Sequence, residues 1–245
     1  MKEKGIHMSG KRGACLVCGK PLLYYENARE MECSICHKKF ENNVSCEDGH
    51  YVCDVCHSKR GIEVIEEVCR KSGSRNPICL MQEIMDNPYI YMHGPEHHVL
   101  VGAVLLTVYH NCGGQIDYPW AMEEMVRRGR EVPGGICGFW GCCGAAVSTG
   151  IAFSIMKKAT PLSGKSWGQA NLMTARALQK IGSCGGPRCC KRDSFLAVQA
   201  ASEGIDEEFG IRLEMPRKTV CSFCGENEQC IRHACPFYEK ETAYE

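Results

Sequence analysis

Net charge, aromatic surface and long apolar runs are what this sequence has least of, and each shortage removes a class of function. Its 29 Lys and Arg balance 29 Asp and Glu, so no global field draws the chain to nucleic acid or to an anionic membrane surface. Aromatic residues make up 8% of the chain, too few for a broad platform on which single-stranded bases would stack. No stretch reaches the roughly 18 apolar residues of a membrane-spanning helix, and the longest candidates, 99–108 and 144–156, read as buried helices. The opening MKEKGIHMSGKRGA is charged and has no apolar core of a secretory signal. Gly164-Lys165-Ser166 lacks the upstream glycine of a phosphate loop. The Cys-x-x-x-Cys-x-x-Cys spacing of radical S-adenosylmethionine enzymes and the strand–helix alternation of a barrel are also missing.

Cysteine is the abundance, with 20 residues beside 9 histidines. Without a leader, the expected compartment is the reducing cytoplasm, where thiols serve as metal ligands or redox groups rather than disulfide staples. The densest part is residues 11–58. There Cys15 and Cys18, Cys33 and Cys36, Cys46 and His50, and Cys53 and Cys56 form four pairs. A tight turn between paired ligands aims both at one ion, and two such pairs complete a closed tetrahedral site. Eight ligands therefore suit two zinc ions, whose binding replaces the core that so short a segment cannot build. Sequential pairing closes each site through a short loop at low entropic cost and is the expected arrangement. The alternative is interleaved pairing, in which the first pair joins the third. Closed sites of this kind hold a fold together. His37 and His57, each following a knuckle cysteine, read as bystanders.

Residues 61–216 read as a helical core. Helices are expected over 62–71, 77–85, 96–110, 119–130, 143–158, 166–181 and 189–203, with glycines 182 and 204 as stops. Strand signals are confined to 22–25, 51–53 and 212–215. The fold class is thus mainly α: a bundle-like core with an N-terminal zinc-ribbon or finger module and a C-terminal cysteine cluster at 217–238. Met81, Met85, Met122 and Met125 fall at helical spacing and belong to the core, as do Cys69 and Cys79.

Two glycine-rich loops interrupt the core, Gly-Gly-Ile-Cys-Gly-Phe-Trp-Gly-Cys-Cys-Gly at 134–144 and Gly-Ser-Cys-Gly-Gly-Pro-Arg-Cys-Cys at 182–190. Each ends in a Cys-Cys pair at a helix start, where the helix dipole favours thiolate. Arg188, Lys191 and Arg192 would add to that effect. Cys142, Cys143, Cys189 and Cys190, converging with His93 or His97 from Tyr-Met-His-Gly-Pro-Glu-His-His at 91–98, are the candidate catalytic set, with one cysteine of each pair expected to face the site. The chemistry expected of them is redox, sulfur transfer or alkyl transfer. At the C-terminus Cys221, Cys224, Cys230 and Cys235 could hold either a 4Fe–4S cluster or a zinc ion. Basic residues near the fingers (Lys11, Arg12, Lys38, Lys39, Lys59, Arg60) read as a solvated face, so a small-molecule substrate or a protein partner is expected rather than nucleic acid.

The Gly-Cys-Cys-Gly element at 141–144, the Pro-Arg-Cys-Cys-Lys-Arg-Asp run at 187–193 and the cysteine-rich tail resemble an uncharacterised cysteine-rich domain family of anaerobic prokaryotes. The resemblance spans roughly residues 60–240, with the fingers as an N-terminal extension. It implies proximity to radical S-adenosylmethionine or methyltransferase modules, and hence an alternative role as a non-enzymatic adaptor for such a partner. It assigns no catalytic residue.

Overall fold

The computed structural model describes residues 15–239; residues 11–14 of the expected finger module, with Lys11 and Arg12, lie outside the described residues. The protein is mainly α. Among the described residues, β1 (Leu22–Glu32) and β2 (Lys39–Cys46) precede eight helices: α1 (Asp54–Lys71), α2 (Pro77–Met85), α3 (His97–Asn111), α4 (Tyr118–Gly129), α5 (Ile136–Phe139), α6 (Gly144–Met156), α7 (Lys165–Cys184) and α8 (Cys190–Phe209). The strands form an antiparallel hairpin, Leu22 opposite Cys46 and Glu32 opposite Lys39, with a register shift between Tyr24 and Arg29. The strand expected at 51–53 reduces to a single bridge from Tyr51 to Cys33. The segment 212–215 joins no strand; the Glu214 N–H donates instead to the Arg75 carbonyl at 3.0 Å.

Helix α3 is buried at every residue from His97 to Tyr109 and packs against α1, α2, α4, α6 and α8. A helix that is apolar on all sides can only be stable in the middle of a bundle, and α6, packed against α3, α4, α7 and α8, follows the same rule. The four methionines named above are buried, as is Cys69. Cys79, by contrast, is exposed, on the outer side of the short helix α2. Helix α8 runs past Gly204, which was expected to stop it. A Cβ at Gly204 would stand 2.9 Å from Met173 Sδ and 3.2 Å from Phe153 Cζ, so this glycine serves close helix packing. The stop is Gly210, in the left-handed region at φ +66°.

Helix α1 begins at Asp54, well before the apolar periodicity that announces it. Its first turns bury Ser58 and Gly61 rather than large apolar side chains, and Ile62, Ile65 and Cys69 follow in the core. The residues after Cys53 are thus the start of a rod that continues into the bundle. The Asp54 carboxylate also accepts the Gly134 N–H at 2.7 Å, tying α1 to the first glycine-rich loop. No helix among the described residues is long and apolar enough to cross a membrane.

Candidate metal centres and the central cleft

The four N-terminal pairs form two groups, Cys15, Cys18, Cys46 and His50, and Cys33, Cys36, Cys53 and Cys56, with the ligand atoms of each group within 4.8 Å of one another. The pairing is interleaved, which corrects the sequential arrangement expected from loop length. The hairpin causes this, because β1 and β2 return the chain so that the third pair lies beside the first. Two knuckles share one backbone design. The N–H of Cys15 donates to the Lys20 carbonyl and that of Gly19 to Cys15, as the N–H of Cys33 does to Lys38 and that of His37 to Cys33. The residue after each second cysteine has positive φ, 75° at Gly19 and 58° at His37.

The donors fit a metal. Sulfurs about 2.3 Å from one tetrahedral ion stand about 3.8 Å apart; Cys36 and Cys53 are at 3.8 Å, Cys18 and Cys46 at 3.6 Å, and Cys46 Sγ to His50 Nδ1 is 3.4 Å. Burial opposes ionisation of Cys33, but N–H groups of Cys36, Cys53 and Ile35 bring its thiol down to about 6. Burial and the neighbouring sulfurs push Cys56 above the thiol range. Four sulfurs this close ionise together only around a cation.

The glycine-rich loops line a cleft between the hairpin and the helical core. One lobe has a volume of about 320 Å³ and takes Tyr24 from β1 and His57, His93, Cys137 and Cys190 from the other wall. A second lobe of about 590 Å³ carries Cys143, Arg192 and Asp193. Tyr24, Cys137, Phe139 and Arg188 border both lobes, and the Arg188 guanidinium donates to the Tyr24 hydroxyl. Of the four candidate cysteines, Cys143 and Cys190 therefore reach the cleft. Cys142, whose N–H donates to the Ile136 carbonyl at 3.3 Å, lies outside it, and Cys189 caps α8 on another side. Burial pushes Cys143 up to about 12 and lifts Cys190 above the thiol range. Desolvation outweighs the backbone N–H groups near Cys143 and the Arg188 charge near Cys190, so burial opposes the ionisation expected at these helix starts.

Glu96, at the start of α3, is fully buried with His97 beside it. Its carboxylate accepts the Tyr91 N–H at 3.0 Å, lies 3.4 Å from His57 Nδ1 and 3.5 Å from His97 Nδ1. His97 Nδ1 is also 3.1 Å from the Gly94 carbonyl. Burial opposes ionisation of Glu96, yet the two imidazoles hold its carboxyl well below the usual carboxylate range. Burial, with Arg188 and His97, brings His93 down to about 4, and burial also lowers His97. A Cβ at Gly94 would run into Glu96 Oε2 and lie 2.6 Å from His57 Cε1, so a larger residue would force this carboxylate and imidazole to shift. His57, like His37, belongs to neither ligand group, as expected of a bystander to the knuckles, but it lies against the buried carboxylate of Glu96.

The C-terminal segment folds back on α8. The Cys221 N–H donates to the Phe237 carbonyl at 2.8 Å, Phe237 meets Phe195 at 5.3 Å between ring centres, and Lys191 Nζ lies 4.8 Å from the Phe223 ring centre. Burial pushes Cys221 up to about 11, and the charges of Cys189, Cys235 and Cys224 push the same way. Cys235 in turn interacts with Cys184 and Cys230. These sulfurs sense one another, yet they form no group of ligands within 4.8 Å; among the described residues only the two N-terminal groups do. Cys189 thus faces the C-terminal cysteines, and Cys184, absent from the expected set, lies near them.

The sequence profile of one family, described as Family of unknown function (DUF5714), matches residues 65–238, from α1 through the C-terminal cysteines. No curated protein and no solved structure matches the chain.

Proposed function

The chain belongs to DUF5714, a family of unknown function, and from that premise we propose that it is a cytosolic metal-binding protein with cysteine-based redox, sulfur-transfer or alkyl-transfer chemistry in its cleft. The observation that supports it is convergence: loops 134–144 and 182–190 and the segment before α3 contribute Cys137, Cys190 and His93 to one lobe, and Cys143 lines the adjoining lobe that shares Cys137. Zinc fills the two N-terminal groups, whose closed four-ligand geometry suits a structural role. The C-terminal cysteines hold a 4Fe–4S cluster. Four cysteines within residues 221–235, the last followed by Pro236, support this reading. Cys143 and Cys190 carry the transferred group or the metal that activates it. Because burial opposes their ionisation, they need coordination to a cation to lose the proton, and His93 lines the same lobe as Cys190.

The test is anaerobic purification with metal and sulfide analysis and an absorption spectrum, followed by Cys143→Ser and Cys190→Ser. Two zinc ions, iron with acid-labile sulfide, and thiol reactivity lost in both variants without loss of metal are expected. Zinc alone, with no iron or sulfide, overturns the cluster; unchanged reactivity in both variants overturns the cleft chemistry. A second reading, a non-enzymatic adaptor for a radical S-adenosylmethionine or methyltransferase partner, draws on Phe139 and Trp140, which are 53% and 69% exposed at the cleft. It gains if Trp140→Ala abolishes partner binding while Cys190→Ser does not.

A further inference from the structure

A guanidinium drawn partly out of water needs a counter-charge. Among the described residues eight arginines pair with carboxylates, from Arg60 with Glu63 to Arg212 with Asp206. Arg29, Arg130, Arg217 and Arg232 have no ion pair but stand exposed in water. Arg188 alone is half-buried with no carboxylate to answer its charge. Its guanidinium donates to the neutral Tyr24 hydroxyl, and its Cζ lies 5.0 Å from the centre of that ring, contacts that orient the fork without neutralising it. The acidic side chains bordering the two lobes are placed otherwise. Asp54 accepts the Gly134 N–H, Asp193 accepts Arg192 Nε at 3.0 Å, and Glu41 stays at the exposed edge of β2.

We propose that Arg188 anchors a binding site for a small organic anion, whose carboxylate or phosphate meets the guanidinium where the two lobes join and whose flat apolar body fills the second lobe. The planar fork suits either anion, with two parallel hydrogen bonds. His93, which lines the first lobe, keeps both ring nitrogens buried and without a hydrogen bond, so a polar group there would find a partner. The second lobe, about 590 Å³, is the size of a small-molecule pocket. Glycines wall it from both loops: a Cβ at Gly138, Gly141, Gly182 or Gly185 would meet nothing within 4 Å. The missing side chains leave a slot in which bare backbone faces the ligand. Leu178 and Ile181 add apolar surface, and Phe139 offers a ring for stacking. An anion held by Arg188 brings its body into the lobe that Cys137 and Cys143 line.

The inference rests on the reading of the cleft as the reactive centre, but its readout is binding rather than turnover, so failure of the thiol chemistry would leave it standing. The full chain, purified anaerobically, is titrated by calorimetry with 2-naphthoate, 2-naphthyl phosphate and the neutral 2-naphthamide. One equivalent of anion is expected to bind, at least about tenfold more tightly than the amide, and the tighter of the two anions tells carboxylate from phosphate. Arg188→Gln should remove that preference, and Arg188→Lys, which keeps the charge but not the planar fork, should retain part of it. Gly138→Leu, which fills the second lobe, should abolish binding of all three probes. Arg130→Gln, an exposed arginine just beyond α4, should change nothing. Retained metal content and an unchanged melting temperature serve as fold controls; if Arg188→Gln fails them, the anion-to-amide ratio of the parent protein and the Gly138→Leu variant decide. No binding of either anion, amide binding as tight as the anions, or an unchanged preference in Arg188→Gln would overturn the proposal.

Discussion

Removing Cys33 and Cys53 together should leave one N-terminal metal site intact, whereas removing Cys15 and Cys33 together should abolish both. The two double variants carry the same number of lost thiols and differ only in whether those thiols share an ion. Sequential pairing demands the reverse result. The magnitudes show why loop length could not settle the matter. The sites close between Cys18 and Cys46, 28 residues apart, and between Cys36 and Cys53, 17 apart, instead of through the shorter sequential loops. The added closure entropy amounts to about 2 kcal/mol over both sites. A structural zinc site contributes about 10–16 kcal/mol, and the hairpin has already brought the distant pairs together. Native mass spectrometry at neutral pH, after competition with a chelator, counts the ions that remain. One zinc in the Cys33→Ala/Cys53→Ala protein and none in the Cys15→Ala/Cys33→Ala protein is the expected outcome. The opposite pattern would refute the interleaved assignment and the role given to the hairpin.

Phe153, 1% exposed, packs against Gly204 and the Phe209 ring; Phe153→Ala should destabilise the bundle by about 3–5 kcal/mol in urea unfolding. Glu124 on α4 is held down to about 2 by hydrogen bonds from Arg127 and Arg128. Because its folded value lies below the ordinary 4.5, its stabilisation is present above that value and fades as pH falls toward 2. Denaturation between pH 6 and pH 3 should therefore show a smaller acid loss in Glu124→Gln than in the parent protein.

The helical architecture was largely legible. Helices α3 and α6 carry apolar residues on every face, and only a central position suits such a pattern. The metal-ligand spacing of the first four pairs was equally plain, since it depends on residues close in sequence. Their partnering was not, because it depends on β2, whose Lys-Phe-Glu-Asn-Asn-Val-Ser-Cys run carries little strand signal. The start of α1 was hidden because cysteine, serine and glycine occupy its buried side. Glu96 and His57 come from different helices, so nothing near either one in the chain announces their contact. The Cys-Cys loops were visible as unusual, yet adjacent side chains diverge: Cys190 turns to the cleft and Cys189 to the C-terminal sulfurs.

Helix α1 has a mechanical consequence. Its first turn holds Cys56, Asp54 anchors the 134–144 loop, and Gly61 lies under the Tyr89 carbonyl and the Glu96 side chain. One stiff strut is therefore bolted to the second finger site at one end and to the bundle at the other, with the cavity's wall hung from its first turn. Loss of an ion bound at that finger should therefore slacken the strut where it supports both His57 and the loop.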